Sequence, residues 1–343
     1  MKKMIGLLLI LAMTLSVISG CTQKIETENK AEVNQPDTKV KKGEYVLSVG
    51  TVLTDKDPLY AGLQLFQKNV SERTNGAVEI KLFPSAQLGS DEDLLEQAKV
   101  GTGVGVVTDP GRLSSYITDF GILGAPYLVD NYEDALRLLD TSVFKGLSDE
   151  FSKDGLKILS FNYFQGTRHL FTNKPITKPE DLKGQRIRSS GSDIVTATIK
   201  NMGANPSVLP WSEAYSGLQQ KVVDGVEVHY SAAVGSSIFE VTKYLSKTAH
   251  FQLLTGLVIS NDWFNKLPAE YQTILMEEAY NGGKYASEQV IEKEKEFENT
   301  LVDNGIEIVD CDVEALKAAV EPAFDELGYR ELKDKIDIEL GKK

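Results

Sequence analysis

Between Pro268 and the Asn304-Gly305 pair, only the adjacent glycines Gly282 and Gly283 interrupt a continuous helical pattern. Proline suits a first helical turn, and a glycine pair bends or weakens a helix without having to end it. At 1.5 Å per residue an unbroken run would be about 55 Å long, more than the width of one domain in a chain of this size. The run predicts a helix bridging two domains; the alternative is two ordinary helices meeting at the glycines.

Upstream, short β-like and helical runs alternate. Tyr45 to Leu53 is strand-like, Leu59 to Glu72 carries helical apolar spacing, and Val78 to Phe83 alternates again. Ser90-Asp91-Glu92-Asp93 is a capping-box variant opening a helix to Val100, and Gly103 to Val107 makes a short buried strand. Further strands are expected at Leu156–Asn162, Gln185–Arg188, Ser207–Leu209, Val222–Val228 and Gly256–Ser260. This rhythm predicts an α/β fold, a mixed sheet with helices on both faces, and ligands in such folds sit beyond strand ends.

The first twenty residues stand apart. Lys2 and Lys3 precede an apolar stretch, Ile5 to Ile18, too short to span a bilayer comfortably. It ends Ile18-Ser19-Gly20-Cys21, which looks like a bacterial lipobox with cleavage before Cys21 and lipid on its thiol. Residues 1–20 are then a lipoprotein signal peptide and 21–43 a flexible, Lys-rich tether with too little apolar surface to order itself. The expected location is extracytoplasmic, anchored to the membrane through Cys21. Cys311 is left without an intrachain partner and reads as a structural thiol.

The 37 Lys and Arg stand against 50 Asp and Glu, a formal charge of −13 that becomes −15 without Lys2 and Lys3. Such a balance argues against nucleic acid as a partner. Catalytic and cofactor motifs are absent: the three histidines form no His-x-x-x-His pair, Cys-x-x-Cys is missing, and Gly101-Thr102-Gly103-Val104-Gly105 does not complete a dinucleotide fingerprint. No catalytic residue, metal site or cofactor is assigned. The paired carboxylates Asp91 and Asp93 lie in a helical run and read as a solvated face.

Arginine placement is more informative. Only seven Arg occur, and three of them, Arg168, Arg186 and Arg188, fall within one short stretch. A guanidinium grips a carboxylate with a planar fork and stays charged when partly buried, so these residues suggest anion recognition; structural ion pairs are the alternative.

The stretch Asp181-Leu182-Lys183-Gly184-Gln185-Arg186-Ile187-Arg188 is followed by Met202-Gly203-Ala204-Asn205-Pro206, Trp211-Ser212-Glu213-Ala214-Tyr215 and Leu218 to Gly225. With Phe83 to Gly89, Phe239-Glu240-Val241 and Thr248-Ala249-His250, this series resembles the DctP-type extracytoplasmic solute-binding proteins of TRAP transporters, in family order from about residue 45 to the C-terminus. The resemblance implies a two-domain periplasmic-binding-protein clamshell of type II-like form, with mixed sheets flanked by helices and the long helix bridging both domains. It places domain I at 44–165 plus 254–292 and domain II at 166–253 plus 293–343. It also implies binding without chemistry: a small organic anion is captured and handed to an ion-gradient-driven membrane permease, its carboxylate held by Arg188 with help from Arg168.

Two departures from the family pattern stand out. Ser189-Ser190 follow Arg188 where Val-Pro is usual, and Val228 replaces the ligand-contacting Asn, so that contact is lost or passes to His229, Glu227 or Tyr230. His229 is favoured, as a second cation beside the anion; a histidine bonded to backbone is the alternative. Trp211 could stack on a sugar ring or cover apolar surface, with Tyr215 one turn on, and Asp109 could accept hydroxyl hydrogen bonds. The expected ligand is a sugar acid, a uronate or aldonate, with a C4-dicarboxylate or keto acid as the alternative. A signalling-receptor subunit and a carboxylate-processing enzyme are the competing classes.

Overall fold

The computed structural model describes residues 41–342. Cys21, the leader and most of the tether lie outside that range. Nine strands form one sheet in the order β2-β1-β3-β8-β4-β7-β5-β6, with β9 beside β8. They are β1 (Tyr45–Gly50), β2 (Val78–Phe83), β3 (Val104–Thr108), β4 (Leu156–Thr172), β5 (Arg186–Ser189), β6 (Asn205–Val208), β7 (Gly225–Val228), β8 (Tyr244–Ser260) and β9 (Glu307–Val309). The sheet is mixed: β1 pairs β2 and β3 in parallel, and β5 pairs β6 and β7 likewise, while β3–β8, β4–β8 and β4–β7 are antiparallel.

Two strands organise it. β4 and β8 have 17 residues each and pair along most of their length. At one end Gly256–Ile259 of β8 receives β3; at the other His169–Thr172 of β4 receives β7. Each long strand thus serves two lobes, one built on β1–β3 and one on β5–β7. The expected strand Leu156–Asn162 stops ten residues short of the observed end, and Gly256–Ser260 is only the last part of β8. The period of two is lost in between because the β4–β8 ladder shifts register four times, once at Phe164/Gly166, where Gly166 has φ +116°. Gly166 and Thr167, just before Arg168, therefore form an irregularity inside a strand.

The long helix spans Ala269–Asp303, 35 residues without a break at the glycines. That is about 52 Å at 1.5 Å per residue, close to the reach of β4 and β8. The glycines are there for packing. A Cβ at Gly282 would lie 2.7 Å from the Gly62 carbonyl oxygen, and one at Gly283 only 2.3 Å from Asn162 Oδ1. The helix meets α1 (Pro58–Arg73) and β4 at backbone distance through these positions.

Local signals are realised where they were strong. In α2 (Asp91–Lys99), Ser90 Oγ accepts from the Asp93 amide at 3.2 Å, and Asp93 Oδ2 accepts from the Ser90 amide at 3.0 Å, which is the expected capping box. Cys311 donates its Sγ–H to the Ile176 carbonyl at 3.1 Å, and burial pushes its thiol up to about 12. No described helix is long and apolar enough to cross a membrane.

Candidate anion-binding cleft

Strand ends from both lobes converge on a cavity of about 90 Å³. β4 supplies Arg168, β5 supplies Arg188, and the β7 end supplies Glu227 and His229; Trp211 and Asp109 complete the expected residues that border it. Tyr215 and Tyr230 go elsewhere. Tyr215 donates its hydroxyl to Glu240 at 2.8 Å, away from the cavity. Tyr230 begins the helix Tyr230–Gly235 and turns away from its neighbour His229; its ring stacks on His169 at 5.1 Å, and its hydroxyl donates to Glu298 at 3.3 Å.

Arg168 and Arg188 differ in kind. Arg168 donates from Nε and Nη2 to the two carboxylate oxygens of Glu227, and from Nη2 to the Glu227 carbonyl at 2.8 Å. Burial, the largest single influence, would raise the Glu227 carboxyl, but Arg168 and His250, 3.7 Å away, together outweigh it and hold that group at about 2. The charge of Arg168 is thereby already balanced, and Glu227 is its partner rather than a free contact for a ligand.

Arg188 has no such partner. Its Nε donates to the Leu209 carbonyl at 2.8 Å, its guanidinium carbon lies 5.6 Å from the Trp211 ring centre, and its Nη2 has no hydrogen-bond partner although the residue is 2% exposed. Burial, with Arg112 and Arg168 nearby, lowers its pKa to about 10 against the pull of Glu227 and Asp109, so it remains charged at neutral pH. A buried, unpaired cation is costly and creates a strong demand for an anion. Trp211 borders the cavity with the Arg188 guanidinium over its ring and packs against the neighbouring core.

His229 is 2% exposed, and neither ring nitrogen has a partner. Burial and the neighbouring Arg168 lower its pKa to about 3, with Glu227 opposing. In the ligand-free protein it is therefore a neutral imidazole offering one donor and one acceptor. Val228 beside it is buried in the core.

The opposite wall carries acceptors. Asp109 caps the short helix α3 (Pro110–Leu113), taking the Arg112 amide at 3.1 Å and an Arg112 guanidinium hydrogen on its other oxygen. Asp91, expected on a solvated face, is 5% exposed and borders the cavity. Its Oδ1 has no partner, and its Oδ2 is 3.6 Å from Arg112 Nε. Burial pushes its carboxyl up to about 7; Arg112 opposes this, and Asp109 and Glu92 add to it. Sequence reasoning missed both Asp91 and Arg112. The scarcity of arginine could have flagged Arg112, whereas nothing in a capping-box helix marks Asp91 as buried. Among the described residues no cluster of His, Cys, Asp and Glu is placed to hold a metal ion.

Two lobes sharing long crossing strands, with a buried unpaired cation between them, define an α/β solute-binding protein. The chain belongs to the DctP family, described as Bacterial extracellular solute-binding protein, family 7, whose profile matches residues 49–331. A TRAP periplasmic solute-binding protein of Escherichia fergusonii, in an apo open form, is 40% identical with a TM-score of 0.77 over 86% of this chain and 99% of its own. One from Ochrobacterium anthropi, with bound L-fuconate, is 34% identical with a TM-score of 0.83 over 86% and 99%. The C4-dicarboxylate-binding periplasmic protein of Vibrio cholerae is 31% identical over 66% of this chain and 69% of its own.

Proposed function

We propose that this protein captures a polyhydroxylated monocarboxylate, a sugar acid, outside the cytoplasm and delivers it unchanged to a TRAP permease. Arg188 carries the reading: a buried guanidinium with an unused Nη2 awaits a carboxylate, and the facing wall presents Asp91 and Asp109. A ligand with its anion at Arg188 and its hydroxyls toward these acceptors fits that polarity. A C4-dicarboxylate would bring its second carboxylate to this wall, where Arg112 also lies, and is the alternative that the experiment below separates. The L-fuconate held by the Ochrobacterium anthropi relative supports the same class.

Capture proceeds by closure of domain I (44–165 plus 254–292) on domain II (166–253 plus 293–343). The register shift between Phe164 and Gly166, opposite Leu254 and Leu253, falls at two of the three crossings between these domains and supplies a place to flex, the third lying within the long helix. A lipid on Cys21 holds the protein near its permease.

The test is thermal unfolding of ligand-stripped protein against sugar acids, dicarboxylates, keto acids and amino acids, followed by calorimetry of any hit. A ligand at about 1,000 times its dissociation constant adds roughly 4 kcal/mol, a shift of several degrees. Stabilisation by sugar acids, lost in Arg188→Ala, is the expected result. Preference for a C4-dicarboxylate would replace the ligand class, and turnover of a hit would replace the function.

A further inference from the structure

Ser189-Ser190 stand where the family pattern has Val-Pro, and the capture mechanism so far gives their hydroxyls no task. Ser189 is used internally: its Oγ accepts from the Gly191 amide at 3.1 Å and lies 3.0 Å from Thr196 Oγ1. Ser190 differs. Alternate residues of an extended segment share a face, so Ser190 follows Arg188 on the cavity side, and both border the cavity.

Ser190 Oγ lies 3.2 Å from Ser192 Oγ. The pair carries two hydroxyl protons and spends one on this bond, which leaves one O–H to donate and lone pairs to accept. Ser192 precedes the helix Asp193–Asn201, yet its side chain makes no capping bond. It is held close to the opposite lobe by Gly111 of α3, where a Cβ would lie 2.5 Å from Ser192 Oγ.

We infer that Ser190, oriented by Ser192, reads the hydroxyl on the carbon next to the ligand's carboxylate, so that the site selects 2-hydroxy acids of the open-chain aldonate type. With the carboxylate on Arg188, the adjacent carbon is the one nearest the next cavity-facing residue of the same strand. A hydroxyl there can both donate to and accept from the serine pair. In a uronate that carbon carries the ring oxygen, which only accepts, and a 2-deoxy acid offers neither.

This inference rests on capture of a carboxylate by Arg188, and the experiment separates the two. The purified protein is titrated calorimetrically with L-fuconate, its 2-deoxy counterpart and galacturonate. L-Fuconate should bind about 3- to 10-fold more tightly than the 2-deoxy acid, the range for one neutral hydrogen bond. Ser190→Ala should erase that difference by weakening L-fuconate alone, with the 2-deoxy acid reporting an intact fold, and Ser192→Ala should reduce it. Equal binding of the two acids by wild type, equal losses in Ser190→Ala, or preference for galacturonate would overturn the inference and leave the capture reading standing. Failure of all three acids to bind would overturn both.

Discussion

Arg168 and Glu227 clasp one another side-on across the neighbouring strands β4 and β7, with Nε and Nη2 of the guanidinium meeting the two carboxylate oxygens. Three arginines border the cavity; this pair absorbs Arg168, and the Asp109 and Asp91 carboxylates absorb Arg112, which leaves Arg188 as the one that a ligand must satisfy. Breaking the clasp should be expensive. Glu227→Gln would strand a largely buried guanidinium, and a loss of about 3 to 5 kcal/mol at pH 7 is expected in urea unfolding. The Glu227 carboxyl is held at about 2, below its ordinary 4.5, so its stabilisation is fully present above pH 4.5 and is lost as pH falls through 2. The gap between wild type and variant should therefore narrow in acid; a constant gap would refute the pairing.

Arg188 should show binding and stability pulling in opposite directions. Arg188→Ala is expected to weaken ligand binding by about 2 to 5 kcal/mol in calorimetry, the range for removing one partner of a buried charge pair. Arg188→Met keeps most of the side-chain bulk against Trp211 and removes an unpaired charge, so the ligand-free protein should melt at a higher temperature than wild type. A lower melting temperature would mean that Arg188 is satisfied without ligand.

Asp91 sets a second pH dependence of opposite sign. Its folded pKa of about 7 lies above the ordinary 3.8, so its contribution is fully present below pH 4 and is lost as pH rises through 7. Asp91→Asn cannot ionise, and relative to wild type it should gain on the order of 2 to 4 kcal/mol between pH 4 and pH 8. Parallel stability curves for the two proteins would place Asp91 in water.

Burial and the neighbouring Arg168 lower the His229 pKa to about 3, so without ligand the ring is neutral across the working range. His229→Ala should weaken binding through lost hydrogen bonds, by about 1 to 3 kcal/mol, with affinity curves parallel to wild type between pH 5 and pH 8. An affinity gap that widened as pH fell from 8 to 5 would restore the cationic role.

The glycines of the long helix can be tested against a control. Ala is the better helix former by about 1 kcal/mol, so Gly146→Ala, with nothing within 4 Å of the new Cβ, should stabilise the helix Ser142–Phe151. Gly283→Ala drives a Cβ to 2.3 Å from Asn162 Oδ1 and should cost about 1 to 3 kcal/mol despite its propensity. Equal gains at both sites in thermal unfolding would show that the glycine pair has no packing role.

Much of the fold was legible because its signals are local. The Ser90–Asp93 box, the strand Val78–Phe83, the strand read at Gln185–Arg188 and found one residue on at Arg186–Ser189, and the helical pattern after Pro268 depend on neighbours in sequence. β4 and β8 were read short because their register shifts erase the alternation where the strands cross from lobe to lobe. At the site, the Arg-x-Arg strand could be singled out by residue type, and His229 through the family resemblance that marks Val228 as a replacement. Their charge states could not: burial and facing groups decide them, as in Asp91, which looks like any acidic first-turn residue and is enclosed.

The sequence by itself narrowed the region after Pro268 to one long helix through Gly282 and Gly283 or two helices meeting there, and placed Arg188 on a strand. Only the tertiary structure decided which arginine is free. Arg168 and Glu227 are separated by 59 positions and meet because β7 returns beside β4, and that strand pairing neutralises one guanidinium while leaving the other buried and unpaired.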